Sequence, residues 1–243
     1  MIEHVIILAG GRGTRLAPYT TVLPKPLMPV GDVPILEIVI RQLAAHGLKH
    51  IVVATGYLGA LIEAYFGTGE QFGADICYST ETEPLGTAGP IGLARSKIPR
   101  DDILVMNGDL LADVDYTAMV LYHQTAGNAL TIGAHLKTHH VDLGVLDVDA
   151  DGQLLGYREK PVHQYLVSMG IYVMQPAVVD MVRGGERCDL PDLVLRVLRD
   201  GQRVGIYRHE GTWLDIGRPE DFREAVALYE SDPSRFLRRV HNG

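Results

Sequence analysis

Residues 4–30 read HVIILAGGRGTRLAPYTTVLPKPLMPV, and the start of this stretch decides the fold class. Its first six residues are a continuous apolar run rich in β-branched side chains, which is typical of a strand buried on both faces of a sheet. Glycines follow at once, and a glycine-rich turn after a buried strand lets backbone amides approach a ligand closely. The stretch therefore predicts an α/β sheet with a ligand crevice at the carboxyl end of its first strand.

Strand and helix patterns alternate over the first half of the chain. In chain order the predicted strands and helices are 4–9, 34–47, 51–55, 58–67, 102–109 and 116–127. This order implies parallel pairing with right-handed crossovers. The middle of the chain reads as longer strands joined by turns, with Asp151 and Gly152 as a hairpin turn, and helical patterns return at 191–201 and 219–230.

The composition narrows the possible partners. Of the 243 residues, 47% are hydrophobic and 21% are charged, and the formal net charge is −8 at pH 7. A negative net charge argues against a general nucleic-acid or anionic-membrane binder, since both need a basic surface. Residues 1–11 lack a basic n-region and no window offers a long uncharged apolar run, so we expect a cytoplasmic protein. Cys77 and Cys188 are too far apart for a metal motif and are expected to be buried free thiols.

The glycines of the first loop do not complete either of two familiar phosphate-binding motifs. The pattern G-x-G-x-x-G fits at Gly11 and Gly13 but has Leu16 at its third position, and the P-loop pattern is absent. By themselves the glycines are compatible with a tight turn alone. Arg12 and Arg15 favour a phosphate-binding loop over a turn alone, because planar guanidinium groups are suited to phosphate.

Lys25 stands between Pro24 and Pro26. Prolines on both sides restrict the backbone, so this lysine is a candidate for a positioned point charge of the kind that phosphoryl sites use. A solvent-exposed lysine in a proline-rich loop is the alternative. The first loop thus predicts a phosphate-binding site that needs partners from elsewhere in the chain.

Five later segments occur in a specific order with the first loop. They are EPLGTAGPI at 83–91, VMNGD at 105–109, EKP at 159–161, GIYVM at 170–174 and WLDIGRPEDF at 213–222. The ordered set resembles the sugar-1-phosphate nucleotidyltransferase family over almost the whole chain, and residues 83–91 are most like its mannose-1-phosphate guanylyltransferase branch. The resemblance implies a Rossmann-like three-layer α/β/α fold with a mainly parallel central sheet and an added mixed sugar-binding sheet.

The resemblance also implies a reaction and a domain layout. A nucleotidyl group would pass from a nucleoside triphosphate, with GTP as the preferred choice, to a sugar-1-phosphate, assisted by Mg²⁺. We expect one domain over 1–243, with a nucleotide-binding half at 1–127 and a sugar-binding half with closing helices at 128–243. The chain ends soon after the helix at 219–230, so no C-terminal left-handed β-helix is expected, and the assembly would be a monomer or a homodimer.

Site residues are carried over by resemblance, position by position. Arg15 and Lys25 would be the catalytic cations, and Asp109 and Asp215 would hold the metal. The nucleotide-binding residues would be Leu8, Ala9, Gly10, Gly11, Gly13, Thr14, Gly86 and Thr87. The residues that bind the sugar phosphate would be Gly144, Glu159, Lys160, Ser168 and Gly170.

Two positions depart from the family pattern, and two other functions stay open. Leu143 stands where relatives often have tyrosine, and Ser168 where they often have asparagine, so we expect a sugar other than plain mannose. A heptose, an N-acetylmuramate and a cyclitol, each carried as its phosphate, stay open. A catalytically inactive nucleotide-sugar-binding regulatory protein is the first alternative. The second is a metal-dependent glycosyltransferase, suggested by Asp-Val-Asp at 113–115 and 147–149.

Overall fold

The computed structural model describes residues 2–237, so residue 1 and residues 238–243 of the predicted domain lie outside it. The strands are β1 His4–Ala9, β2 Pro29–Val30, β3 Val33–Pro34, β4 His50–Thr55, β5 Asp75–Thr80, β6 Ile103–Asn107, β7 Leu110–Ala112, β8 Leu130–His140, β9 Val145–Val148, β10 Leu154–Arg158, β11 Val162–Met174, β12 Val204–His209 and β13 Trp213–Asp215. The α-helices are α1 Ile35–Ala45, α2 Gly59–Phe66, α3 Gly89–Leu93, α4 Tyr116–Ala126, α5 Pro176–Val179, α6 Leu190–Arg199, α7 Pro219–Ser231 and α8 Pro233–Phe236.

The central sheet has seven strands in the order β12-β8-β11-β6-β1-β4-β5. The pairs β1–β4, β1–β6, β4–β5 and β12–β8 are parallel, and β11 alone runs antiparallel to both of its neighbours, β6 and β8. The mainly parallel sheet that the sequence predicts is confirmed. Because β4 and β6 lie on opposite sides of β1, the order of strands reverses there, and such a reversal opens a crevice above the sheet.

Helices cover both faces of this sheet and make three layers. Successive residues of β1 point to opposite faces, so Ile7 packs with residues of α1, α2 and α4, whereas Ile6 packs with residues of α3, α5 and α6. A third core cluster joins Leu16 to α7 and α8. The local signals are clear in α4, where the Asp115 side chain accepts the Ala118 N–H at 2.9 Å and Gly127 ends the helix at φ +60°.

A two-stranded arm extends from the central sheet. β8 pairs with β12 only as far as His135, and β11 pairs with β6 only from Ile171, so residues 136–140 and 162–166 pair with each other alone. The hairpin of β9 and β10 forms a separate two-stranded sheet at the end of this arm. Its turn contains Asp151 and Gly152, with Gly152 at φ +82°, as the sequence predicts.

Some expectations about local structure were wrong or incomplete. Cys188 is buried, but Cys77 is exposed on the edge strand β5, so only one of the two thiols is buried as predicted. β5 has no clear signal in the sequence, because its residues alternate between exposed and buried at an edge and lack the continuous apolar run of the central strands. None of the described helices is long and apolar enough to cross a bilayer.

Candidate active site

A cavity of about 710 Å³ opens where β1, β4, β5 and β6 end. This volume falls within the usual range for small-molecule sites. The cavity is lined by Leu8, Ala9, Gly10, Gly11, Arg12, Gly13, Thr14, Arg15, Lys25, Pro26, Gly56, Tyr57, Glu81, Thr82, Glu83, Pro84, Gly86, Thr87, Pro90, Asn107 and Asp109. All eight predicted nucleotide-binding residues are among them, together with both predicted catalytic cations and Asp109.

The first loop is shaped by short turns. Gly13 has φ +60° and precedes a 3₁₀ turn at Thr14–Leu16, and its carbonyl accepts hydrogen bonds from Leu16 N–H at 2.9 Å and Thr20 Oγ1 at 2.8 Å. A side chain at this position would be strained and would press on Thr20. The glycine therefore lets the loop turn back so that Arg15 and Lys25 both reach the cavity.

Lys25 is the centre of the charged cluster in this site. Its side chain is buried in a 3₁₀ turn at Lys25–Leu27, after the extended Pro24, and its Nζ forms an ion pair with Asp109 Oδ2. Nζ also lies 3.9 Å from Asp215 Oδ1. The lysine is thus held at the bottom of the cavity by two carboxylates, which favours a fixed cation over a solvent-exposed one.

Asp109 and Asp215 are distant in the chain and are brought together by a short antiparallel ladder. β7 pairs with β13, so that Asp215 is opposite Leu110, and the Ile216 N–H donates to the Asp109 carbonyl at 3.2 Å. Burial raises the pKa of the Asp215 carboxyl, the Asp109 carboxylate raises it further, and Lys25 and Arg15 act in the opposite direction. The carboxylates of Asp109 and Asp215 therefore both interact with the buried Lys25.

These residues fit a divalent cation. Asp109 Oδ1 is buried and accepts no hydrogen bond within residues 2–237, so one lone pair region of this carboxylate is unused. Residues 2–237 also contain no group of three or more histidine, cysteine or acidic side chains that could hold a metal ion. A site with two carboxylates matches Mg²⁺, which is commonly bound by one or two carboxylates and completed by substrate phosphate oxygens and water.

Arg15 and Arg12 lie on the rim of the cavity. The Arg15 guanidinium lies next to Gly217, in the loop that follows Asp215, and the absence of a side chain on Gly217 makes room for it. The Arg12 guanidinium stands 5.6 Å from the centre of the Tyr57 ring, whose hydroxyl donates to the Thr21 carbonyl at 3.0 Å. The cavity therefore has cations at its rim and at its bottom, an arrangement suited to a polyphosphate.

The loop with Gly86 and Thr87 is clasped to the start of α6. Thr87 N–H donates to Asp189 Oδ1 at 2.9 Å, and Thr87 Oγ1 accepts the Leu190 N–H at 2.8 Å. Gly86 has φ +78°, and a Cβ there would lie 2.6 Å from the Cys188 carbonyl oxygen. Thr87 thus works as a clasp in this structure, while Gly86 presents backbone to the cavity.

The five predicted sugar-phosphate residues lie outside the cavity lining. Gly170, at φ +74°, contacts Asn107, which does line the cavity, and Ser168 Oγ lies 3.0 Å from the hydroxyl of the buried Tyr172. Gly144 and Glu159 lie on the arm and both contact Tyr157. Lys160 follows with φ +43°, a left-handed conformation that is uncommon outside glycine and clusters at functional sites.

The two Asp-Val-Asp motifs have structural partners. Asp113 accepts a hydrogen bond from the Thr212 N–H at 2.7 Å and forms an ion pair with Arg235 at 2.6 Å. Asp115 caps the N-terminus of α4. Asp147 pairs with Arg158 at 3.0 Å. Neither motif lines the cavity, so the observation that suggested a glycosyltransferase carries no weight in the folded protein.

Sequence reasoning missed several residues of the cavity wall, above all Glu81. It follows β5 directly, its Oε2 accepts the Leu85 N–H at 3.1 Å, and its Oε1 lies against Gly10 and Gly56. Recognising β5 as a strand would have placed Glu81 at the edge where β1 and β6 end. Gly56 and Tyr57 could have been found in the same way, since they follow β4.

Comparison with known sequences decides the family. The sequence profile described as nucleotidyl transferase matches residues 4–232. The chain belongs to the nucleotidyl transferase family. The resemblance noted in the ordered motifs is confirmed.

Members of the nucleotidyl transferase family carry names that refer to different nucleotide bases, such as guanine and uracil. The chain is 35% identical over 240 residues to the mannose-1-phosphate guanyltransferase of Yarrowia lipolytica, covering 95% of this chain and 65% of that protein. It is 32% identical over 239 residues to the UTP–glucose-1-phosphate uridylyltransferase of Synechocystis, covering 91% of this chain and 62% of that protein. The chain thus spans less than two thirds of the length of these curated relatives.

Solved structures place this nucleotidyl transferase family member in the same fold. HddC from Yersinia pseudotuberculosis, in complex with GMP-PN, superposes with a TM-score of 0.73 at 24% identity, covering 94% of this chain and all of that one. The agreement confirms the Rossmann-like α/β architecture.

Proposed function

We propose that the chain transfers a nucleotidyl group from a nucleoside triphosphate to a sugar-1-phosphate, releasing pyrophosphate and forming a nucleotide sugar. A phosphate oxygen of the sugar-1-phosphate bonds to the α-phosphorus as the bond from that phosphorus to the bridging oxygen breaks, and pyrophosphate leaves with the electron pair. The observation that carries the proposal is the position of Lys25, buried between Asp109 and Asp215 at the bottom of a nucleotide-sized cavity.

In this reaction the protein positions phosphates and stabilises their charge, and no covalent enzyme intermediate is needed. Lys25 would stabilise the α-phosphate as it gains negative charge, and Arg15 at the rim would bind the triphosphate. The backbone of residues 10–13 would hold the phosphates through its amides. Asp109 and Asp215 would hold Mg²⁺, which when bound neutralises phosphate charge and orients the phosphate oxygens.

Glu81 supports GTP as the nucleotide, a choice that the differing names of the relatives leave open. A carboxylate only accepts hydrogen bonds, and guanine offers two adjacent donors, N1–H and the 2-amino group. Uracil and thymine offer one N–H between two carbonyl oxygens, which a carboxylate would repel. Since Glu81 Oε2 already accepts Leu85 N–H and Oε1 faces the glycines of the cavity wall, a base placed there would meet a fixed acceptor.

The function is tested with a matrix of nucleoside triphosphates against sugar-1-phosphates, read by pyrophosphate release in the presence of Mg²⁺. We expect release to require both substrates and to be greatest with GTP. Release with no pair in a broad panel would overturn the proposal. Binding of a nucleotide sugar without turnover would favour the regulatory alternative, and transfer from a nucleotide sugar would favour the glycosyltransferase.

The role of Glu81 in the choice of base is tested with a separate variant. Replacing Glu81 with glutamine keeps the size of the side chain and adds a donor, so kcat/KM for GTP should fall about 10- to 100-fold. The preference over UTP should narrow or reverse. Glu70→Gln, at an exposed glutamate in a turn outside the cavity, is the matched control. An unchanged ratio of GTP to UTP in Glu81→Gln would remove Glu81 from base selection.

A further inference from the structure

Tyr157, near the end of β10, is an exposed residue that no part of the predicted site uses. Its ring is 60% exposed, yet its hydroxyl lies directly against Gly144 and donates to Glu159 Oε2 at 3.0 Å. Gly144 and Glu159 are two of the five residues carried over by resemblance as sugar-phosphate binding. A single tyrosine therefore connects the two sides of the β9–β10 hairpin at the end of the arm, at the place where the sugar is expected.

The space at Gly144 is taken by this tyrosine. A Cβ on Gly144 would lie 2.5 Å from Tyr157 Cζ, closer than Cβ atoms approach other heavy atoms, and a tight 3.1 Å from Tyr157 Cε2. The glycine therefore has a reason besides the one proposed from the sequence, since it leaves room for the Tyr157 ring, whose hydroxyl reaches Glu159. Leu143, the preceding residue, is 74% exposed and carries no hydroxyl.

The hydrogen bond restricts the Glu159 carboxylate. A glutamate on an exposed arm ordinarily samples many rotamers, and ordering it costs free energy on binding. Here Tyr157 holds Oε2, and the left-handed Lys160 fixes the backbone on the other side. Oε1 accepts no hydrogen bond or ion pair in the part of the chain that the structure describes, so this oxygen is available to a ligand.

We propose that Tyr157 is a positioning residue that orients Glu159 toward two neighbouring hydroxyl groups of the sugar. This inference rests on the proposed function and names a feature of its acceptor substrate. One sugar hydroxyl donates to Glu159 Oε1. The other donates to the Tyr157 hydroxyl oxygen, which has given its own proton to Glu159 and retains lone pairs. The substrate class is thus a sugar-1-phosphate with a vicinal diol.

The test is Tyr157→Phe, which removes one oxygen and leaves the ring on Gly144. We expect KM for the sugar-1-phosphate to rise three- to tenfold, while kcat stays within twofold and KM for the nucleotide is unchanged. Tyr165→Phe is the matched control, because Tyr165 is exposed on the same arm and its hydroxyl makes no hydrogen bond within residues 2–237. Equal kinetics for wild type and Tyr157→Phe would overturn the inference.

A double-mutant cycle with Glu159→Ala separates positioning from general support of the arm. Once Glu159 is absent, only the direct contact between the Tyr157 hydroxyl and the sugar remains to be lost, so the effect of Tyr157→Phe on KM should be smaller than in wild type. An undiminished effect would contradict the coupling. Monodeoxy analogues of the accepted sugar-1-phosphate provide a second readout. For the two analogues that each lack one of the contacted hydroxyls, the effect of Tyr157→Phe should be smaller than for the intact sugar, and a uniform effect across all analogues would contradict the two-hydroxyl contact.

The outcomes distinguish this inference from the proposed function. An active wild type with an insensitive Tyr157→Phe overturns only the role of Tyr157. If the wild type shows no turnover, calorimetric binding of the sugar-1-phosphate panel replaces kinetics, and Tyr157→Phe should weaken binding by the same three- to tenfold. A wild-type chain that neither turns over nor binds any member of the panel overturns both.

Discussion

Lys25 and Asp109 are 84 positions apart in the chain, and their side chains form an ion pair at the bottom of the cavity. The lysine comes from a short turn after the first strand, and the aspartate follows β6, the neighbour of β1 in the sheet. Asp215 joins them through the ladder of β7 and β13. Three segments that meet only in the folded chain therefore make one charged cluster, and its members can be tested separately.

Replacing Lys25 with methionine removes the charge and keeps most of the side-chain length. We expect kcat for nucleotidyl transfer to fall about 10²- to 10³-fold, the usual loss when one group that stabilises developing charge is removed. Steady-state kinetics with pyrophosphate readout measure it. Lys97→Met, at an exposed lysine outside the cavity, should be unaffected, and a kcat within threefold of wild type for Lys25→Met would remove the assigned role.

Mg²⁺ binding is expected to stabilise the folded protein. A ligand that binds only the native state at ten times its Kd adds about 1.4 kcal/mol, so Tm should rise with Mg²⁺ concentration. Asp109→Asn should abolish this rise, because it alters the carboxylate whose Oδ1 is buried and accepts no hydrogen bond from the described part of the chain. Thermal unfolding with and without chelator measures it, with Asp101→Asn, at an exposed aspartate, as control. An equal rise in Asp109→Asn would contradict the metal assignment.

Asp215→Asn should separate stability from activity. Burial and the nearby Asp109 carboxylate raise the pKa of Asp215, so above the ordinary pKa its negative charge is less favourable in the folded than in the unfolded protein. Removing that charge should raise Tm slightly at pH 7 in chelator while turnover falls at least tenfold. A lower Tm together with normal turnover would show that Asp215 is an ordinary structural residue.

Gly86→Ala should disturb the clasp between residues 86–87 and the start of α6. The new Cβ meets the Cys188 carbonyl and Asp189 Oδ1 at 2.6 and 2.7 Å, and the backbone is left-handed. We expect a loss of about 2–4 kcal/mol of unfolding free energy and weaker nucleotide binding. Gly152→Ala is the control, since Gly152 has φ +82° with open space around it and reports the cost of the backbone conformation alone. Similar losses in both variants would mean that crowding at Gly86 is negligible.

His123 should contribute to acid sensitivity of the fold. Its ring is buried, with Nδ1 2.8 Å from Thr131 Oγ1 and Nε2 3.7 Å from Asp102, and burial lowers its pKa despite the pull of Asp102. A lowered folded pKa means that the neutral ring stabilises the fold above the unfolded pKa of about 6.5, and that this contribution is lost as pH falls through the folded value. Denaturant unfolding at pH 7.5 and 5.5 should show a smaller pH effect in His123→Gln than in wild type, and equal pH effects would exclude the histidine.

Much of the cavity lining could be predicted from the sequence. An apolar run followed by glycines is a local signal, and the order of motifs from residue 8 to residue 215 indicated which distant aspartates belong with Lys25. Glu81 was missed for a physical reason. It follows an edge strand whose alternating burial gives no continuous apolar run, so nothing local marks it as a neighbour of Gly10.

The arm contains contacts that could not be predicted from the sequence. The sequence pointed to Gly144 and Glu159 through resemblance, but the contact of Gly144 with Tyr157 depends on how β9 and β10 lie against each other. The hydroxyl pair of Ser168 and Tyr172 depends likewise on a register shift in β11. Contacts of this kind depend on pairing register and on its local shifts, which a single sequence does not state.

By itself the sequence determined the α/β class, the position of the ligand crevice and the residues of the first loop, because each rests on local apolar periodicity, glycine and proline. Only the tertiary structure decided which groups form ion pairs and which form hydrogen bonds. Lys25 is held by two carboxylates, Thr87 is engaged by α6, and Tyr157 occupies the space beside Gly144. The reason is that electrostatic and steric contacts act over a few ångströms in space, and the fold brings together residues that are far apart in the chain.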